Sequence, residues 1–255
     1  MSSWALVTGA TSGIGESYSR LLAGNNYNIV LVARDLPRLQ ERAAALEAKF
    51  GISTHVIQAD LATDEGCLRV EKYIAENQVD VLVNNAGFGT SKAFTMSTLE
   101  VEQQLLDVLV RTPMRLMHVA LPLMKVRNNG IIINVSSVAG YIAGGTYSAS
   151  KSYLTVLSES LNTELSATNV KVSALCPGFT RTEFHQRGKM SMKGLPNFMW
   201  LNSDRLVEQS WRDALKGKAV SVPGWQYKLL VFIVETMPRS IVRKVGMNMR
   251  AKQRK

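Results

Sequence analysis

Trp4-Ala5-Leu6-Val7-Thr8-Gly9-Ala10-Thr11-Ser12-Gly13-Ile14-Gly15 joins four apolar or aromatic residues to a glycine-rich turn and then to a segment of helical period. It reads as strand, turn and helix. Glycines 9, 13 and 15 let the backbone turn tightly and approach a ligand closely, while the N–H groups and dipole of the following helix favour an anion such as a pyrophosphate. The spacing Gly-x-x-x-Gly-x-Gly differs from the commoner Gly-x-Gly-x-x-Gly, so the dinucleotide reading is by physical analogy. An ordinary glycine-rich turn would give the same string on this stretch alone.

Working outward, Asn28-Ile29-Val30-Leu31-Val32-Ala33-Arg34-Asp35 is a second apolar strand with a base near its C-terminal end. A carboxylate there accepts bonds from a ribose 2′-hydroxyl, whereas Arg34 would pair with a 2′-phosphate, which favours NADP(H) over NAD(H). The alternative is a solvated Arg34 opening a helix that Asp35 caps. The alternation continues with a strand at 54–61, a helix at 65–76, a strand at 79–87, a long helix at 99–124, and strands at 131–136 and 170–175. Such alternation argues for an α/β fold, a three-layer doubly wound parallel sheet with helices on both faces and its ligand crevice outside the strand C-termini. Asp60 and Asn84-Asn85-Ala86-Gly87 sit at such ends. His55, inside a strand pattern, reads as a packed or edge residue. Pro113 should kink the long helix or break one of its bonds. No repeat, low-complexity tract or linker marks a boundary, so residues 1–255 are expected to form one domain.

Tyr147-Ser148-Ala149-Ser150-Lys151 begins a helical pattern about ten residues after Ser136-Ser137. Residues four apart share a helix face, which sets the phenol of Tyr147 beside the ammonium of Lys151. Tyrosine ionises near pH 10, so proton transfer near neutrality needs ~4 kcal/mol of preferential phenolate stabilisation, which a nearby cation supplies. Leu154, Leu157, Leu161 and Leu165 continue this helix as a core or subunit-interface stripe.

Taken together, these residues resemble the short-chain dehydrogenase/reductase family. The motifs that carry the resemblance are Thr8 to Gly15, Asp60-Leu61, Asn84-Asn85-Ala86-Gly87, Ser136-Ser137, Tyr147 to Lys151 and Pro177-Gly178, in that order. The resemblance implies a Rossmann-like sheet of about seven strands, a homodimer or homotetramer, and hydride transfer between a nicotinamide cofactor and a carbonyl or alcohol. It implies Tyr147 as general acid/base, Lys151 as its activator and a ligand of the nicotinamide ribose, and Ser137 as holder of the substrate oxygen, with Ser136 the alternative because the following loop is short. It further implies a cofactor site built from Gly9, Thr11, Ser12, Gly13, Ile14, Gly15, Arg34, Asp60, Leu61, Asn85, Ala86, Gly87, Tyr147, Lys151, Pro177, Gly178 and Thr182, with Asn84 bracing neighbouring strands. One departure stands out. Where many members carry an Asn that holds a proton-relaying water for the lysine, this chain has Leu109.

The 255 residues carry two cysteines, Cys67 and Cys176, with no Cys/His cluster near either, which points to neither a zinc site nor a disulfide framework and suits a cytoplasmic protein. No signal peptide is read at the N-terminus. The apolar run 229–234 falls far short of the ~20 residues that span a bilayer. Formal charge is +10, but seven bases with no acid lie from Arg239 onward, leaving +3 on the rest. That tail lacks aromatic residues for base stacking, which argues against nucleic acid.

Residues 183–203 are expected to form a lid, and its Phe184, Met190, Met192, Leu195, Phe198, Met199 and Trp200 suit either an adaptable pocket for a lipophilic, steroid-, terpenoid- or acyl-like substrate or plain packing onto the core. Ser203-Asp204 should cap the next helix, and 219–223 should form the last strand. Residues 225–255 form a basic extension in which Ile241, Val245 and Met249 share one face, fit for peripheral contact with an anionic membrane, for a partner subunit, or for simple packing. Two functions follow: an NADP(H)-dependent oxidoreductase, or a catalytically weak NADP(H)-binding sensor acting through its tail.

Overall fold

In the computed structural model, which describes residues 3–90, 92–188, 190, 192 and 194–244, the apolar runs become strands of a single sheet. These are β1 (Trp4–Thr8), β2 (Asn28–Ala33), β3 (Thr54–Gln58), β4 (Val81–Asn84), β5 (Gly130–Val135), β6 (Val170–Leu175) and β7 (Val220–Ser221). Their order is β3-β2-β1-β4-β5-β6-β7, every pairing parallel. The direction of winding reverses between β1 and β4, where a doubly wound sheet opens its crevice.

Both faces of the sheet are covered, which is why the strands read as unbroken apolar runs. Ala5 and Val7, Ile29 and Leu31, and Val81 and Val83 pack with Leu22 of α1 (Gly13–Gly24), Leu39 of α2 (Leu36–Phe50) and Trp211 of a later helix. Their neighbours Leu6, Val30 and Leu82 point the other way, toward Val70 of α3 (Asp64–Glu76) and Leu116 and Leu154 beyond it. At the edge, His55 of β3 stacks on Tyr73 of α3 with ring centroids 4.8 Å apart.

The helix expected at 99–124 is divided. α4 (Leu99–Leu106) passes through a π-helical turn, Asp107–Arg111, into α5 (Thr112–Arg127). Pro113 lies in the first turn of α5, where its missing N–H is tolerated, and the widened turn absorbs the change of register. Then come α6 (Thr146–Glu164), the short α7 (Phe184–Arg187), α8 (Ser203–Leu215) and α9 (Trp225–Thr236). Leu154 and Leu165 are buried, and Leu157 and Leu161 pack half-buried against the same core.

Two local expectations need correction. Asn202, rather than Ser203-Asp204, caps α8, its side chain accepting from the N–H of Asp204 and Arg205 at 3.0 and 3.1 Å. The other two side chains are engaged with α1, Ser203 with the Ser17 hydroxyl and Asp204 with Arg20. The last strand is only two residues long, because it pairs on one side alone and Pro223 offers no donor to extend it. Ile241 is exposed, while Val245 and Met249 lie outside the described residues.

Candidate active site

The C-terminal ends of the strands open into a cleft of about 840 Å³. The turn after β1 enters it with Gly9 at φ +65° and Gly13 at φ +58°, conformations that side chains rarely adopt. Thr11, Ser12, Gly13 and Ile14 line the wall above the N-terminus of α1, and the Ser12 side chain makes no capping bond there. Gly15 does not reach the cleft. A Cβ on it would lie 2.3 Å from the Gly9 carbonyl oxygen, so its part is to let α1 pack on the turn. Asn85 completes this clasp by donating to the carbonyls of Thr8 and Gly9 at 2.8 and 3.2 Å, and the Thr8 hydroxyl accepts from the N–H of Asn85 and Ala86.

Ala86, Gly87, Asp60 and Leu61 line the same wall, with Arg34 exposed at its rim. Asp35 caps α2, accepting from the Arg38 N–H at 3.1 Å, so a capped helix follows directly on Arg34. Arg38, which the sequence reading passed over, also lines the cleft and meets Glu183 in a two-pronged ion pair at 3.3 and 3.0 Å. Asn84 stays out of the cleft and bonds Asn134 across β4 and β5 at 2.9 Å.

Deeper in, Tyr147 and Lys151 share one face of α6, the Nζ atom lying 5.7 Å from the centroid of the phenol ring. Tyr147 is half-buried and packs against Phe184, whereas Lys151 is buried and donates to the Val135 carbonyl at 2.6 Å. Burial lowers the lysine's pKa to about 8. The serine pair divides its tasks. Ser136 is buried, donates to the Lys151 carbonyl at 2.7 Å and meets the Thr155 hydroxyl, tying β5 to α6. Ser137 is half-buried, and its oxygen accepts from the Ala139 N–H at 3.1 Å while its hydroxyl makes only a long 3.4 Å bond to Pro177. The short loop after it winds into a 3-10 turn, Val138–Tyr141.

Leu109, in the π-helical turn, is buried beside this centre. A Cβ on Gly87 would lie 2.8 Å from its methyl group and 4.0 Å from the lysine Nζ. Next to it is a small cavity of about 10 Å³ bordered by Thr8, Asn84, Leu109 and Lys151.

Pro177, Gly178 and Thr182 also line the cleft, Thr182 beside the glycine turn, where a Cβ on Gly13 would lie 2.9 Å from its methyl group. A Cβ on Gly178 would fall 1.9 Å from the Tyr227 ring, so only glycine lets α9 seat that tyrosine. The buried Tyr227 hydroxyl accepts from the Phe179 N–H and donates to the Met199 carbonyl, binding α9 to the lid. Of the lid residues singled out, Phe184, Met190 and Met199 line the cleft. Met192 and Leu195 are half-buried elsewhere, Trp200 packs on Phe179 and His185, and Phe198 is exposed. Tyr141, Tyr227, Leu230, Val231 and Val234 also face the cleft, and no motif marked them. Burial raises the pKa of Tyr141, bonded to the Cys176 thiol, and of Tyr227, which leaves neither poised to ionise near neutrality.

A family model described as short chain dehydrogenase matches residues 3–192. The chain belongs to that family. This short-chain dehydrogenase is 34% identical over 195 residues to a very-long-chain 3-oxoacyl-CoA reductase of Laccaria bicolor, covering 74% of this chain and 58% of the relative. It is 28% identical over 246 residues to the 17-beta-hydroxysteroid dehydrogenase type 3 of Mus musculus, covering 94% and 78%. The chain spans about three fifths of the length of the curated reductases it matches. Among solved structures it resembles a short-chain dehydrogenase from Sphingobium yanoikuyae in complex with NADPH, at TM-score 0.84, 30% identity and coverage of 92% and 96%.

Proposed function

We propose that the protein is an NADP(H)-dependent oxidoreductase that interconverts a lipophilic ketone and its alcohol. The observation that carries this reading is the meeting, in one cleft, of an anion-fit glycine turn, a half-buried Tyr147 on the same helix face as a buried cation, and apolar walls from Phe184, Met190, Met199, Leu230, Val231 and Val234. The cleft is large enough for a dinucleotide with a substrate beside it, and its residues fit that group: glycines at positive φ, a helix N-terminus and a base at the adenosine end. The bound cofactor supplies or accepts the hydride.

In reduction, Tyr147 donates its phenolic proton to the substrate oxygen, and in oxidation it takes the proton back. Lys151 gives one of its three donors to Val135 and keeps two, so its ammonium favours the phenolate and would hold the ribose hydroxyls of a bound cofactor. A pKa of about 8 leaves it mostly charged at neutral pH. The Ser137 hydroxyl exchanges its long bond to Pro177 for the substrate oxygen, held in place by the Ala139 N–H. Arg34 would pair with a 2′-phosphate, while the Arg38 guanidinium, one turn farther on, is held by Glu183.

Relatives support the substrate class by their names, very-long-chain 3-oxoacyl-CoA reductases, a hydroxysteroid dehydrogenase and, at 28% identity and TM-score 0.79, a bulky-bulky ketone specific alcohol dehydrogenase from Comamonas testosteroni. One observation favours the second reading, a catalytically weak NADP(H) sensor: Leu109 places a hydrocarbon beside Lys151 where many family members hold a relay water. A homodimer or homotetramer is the assembly the family implies. The test is oxidation of NADPH and NADH across ketones graded by hydrophobicity, with thermal-shift titration of both cofactors as the binding control. Faster turnover of small polar ketones, or a preference for NADH, would overturn the corresponding half of the proposal.

A further inference from the structure

Helix α9, Trp-Gln-Tyr-Lys-Leu-Leu-Val-Phe-Ile-Val-Glu-Thr, is apolar on two opposite sides. At 100° per residue, Tyr227, Leu230, Val231 and Val234 fall on one side, and they line the cleft. Trp225, Leu229, Phe232 and Ile233 fall on the other and are 72, 51, 65 and 40% exposed. A helix apolar all round is ordinarily covered all round, yet among the described residues this outer side is bare. Past the helix Met237 and Ile241 are exposed as well, and Phe198 of the lid lies beside α9, where Gln226 donates to its carbonyl at 3.0 Å. Bases surround it. Lys228, Arg239, Arg243 and Lys244 are all exposed, against two acids, Glu235 of the same helix and Glu159 of α6, whose pKa is raised by partial burial and by the nearby Glu235 charge.

We propose that this outer side of α9, with Phe198, docks the protein on an anionic lipid surface, so that a substrate dissolved in the bilayer enters the cleft along the inner side of the same helix. An exposed apolar stripe headed by tryptophan and flanked by bases is the arrangement that lies in a membrane interface. A second copy of the chain is the poorer occupant, because a two-fold contact through this surface would bring identical basic rims together. No described helix is long and apolar enough to cross a membrane, so the contact is of the kind that rests on the surface. The delivery half rests on the lipophilic-substrate reading above, while the docking half does not.

Flotation of the full chain with vesicles tests the docking. The protein should rise with phosphatidylcholine/phosphatidylglycerol vesicles, stay behind with phosphatidylcholine alone, and be released by 1 M salt, where the screening length falls to about 3 Å. Trp225→Ser with Phe232→Ser should cut binding by at least tenfold, and Lys228→Glu by about tenfold, with NADPH oxidation on a small water-soluble ketone and the solution mass unchanged. Turnover of a vesicle-dissolved ketone should fall with binding. Flotation that survives the double variant would make the basic tail, not this surface, the anchor and sink the proposal. So would a wild type that never floats, or a double variant that falls from dimer to monomer, which would make the surface a subunit interface. Unchanged turnover of the vesicle-dissolved ketone after docking is lost would overturn delivery alone. If hydrophobic ketones are no substrates in any format, the substrate reading fails while the flotation result stands.

Discussion

Replacing Lys151 by methionine should stabilise the cofactor-free protein while destroying its activity. The lysine is 5% exposed, and burial moves its pKa from 10.5 to about 8. That difference corresponds to ~3 kcal/mol of destabilisation at pH 7. The unfolded chain keeps its proton up to about pH 10.5 and the folded chain only up to about pH 8, so the unfolded state binds more protons in between. Stability therefore rises with pH across that window: the penalty is whole below pH 8 and gone above pH 10.5. Methionine removes the penalty but leaves the Val135 carbonyl without its 2.6 Å donor, a loss of ~1–2 kcal/mol. The net gain at pH 7 is ~1–2 kcal/mol, or about 2–8 °C in Tm for a chain of this size. At pH 10, where under ~1 kcal/mol of the penalty remains, the gain should vanish or reverse. Differential scanning calorimetry of both proteins at pH 7 and pH 10, without cofactor, reads this directly. A variant that melts below wild type by the same margin at both values would refute the claim that the site holds a charge against its desolvation.

The rest of the site yields separate tests. Arg34→Ala should weaken NADPH binding by about 10- to 100-fold, the loss of one charge-assisted bond pair, with NADH affinity little changed by calorimetric titration; equal losses for both cofactors would remove Arg34 from the 2′-phosphate. Ser137→Ala should lower kcat by about 100-fold with the fold intact, whereas Ser136→Ala should lower Tm, since only Ser136 ties β5 to α6. Gly178→Ala should destabilise by ~1–3 kcal/mol, because its methyl would enter the Tyr227 ring, and thermal melts should record the loss. Leu109→Asn should leave kcat within a fewfold if Lys151 is re-protonated by another water path, and a large rise at unchanged cofactor affinity would show the native relay to be defective.

What the sequence disclosed was whatever depends on local pattern. β1, β2 and β4 were readable because both faces of the sheet are covered, which turns each strand into an apolar run, and the glycine turn was readable because φ values of +65° and +58° leave little but glycine at positions 9 and 13. What stayed hidden depends on partners distant in the chain. The π-helical turn at Asp107–Arg111 carries no local signal beyond Pro113. Arg38 and Glu183 stand 145 residues apart, and their pairing follows from where β2 and the lid end in space. The serine pair could not be divided from spacing, because the division is made by Lys151 and Thr155 drawing Ser136 inward. Nothing local marks Tyr227, whose place is set by Gly178, 49 residues before it in the chain, where only glycine leaves room for its ring.

The most direct test of the account is single-turnover NADPH oxidation with a hydrophobic ketone by wild type and Tyr147→Phe, alongside calorimetric titration of NADPH into both. The account predicts that the variant binds NADPH as tightly as wild type and transfers hydride at least about 100-fold more slowly, in keeping with the ~10²–10⁴ supplied by a positioned acid/base. Hydride transfer at a rate near that of wild type would contradict it.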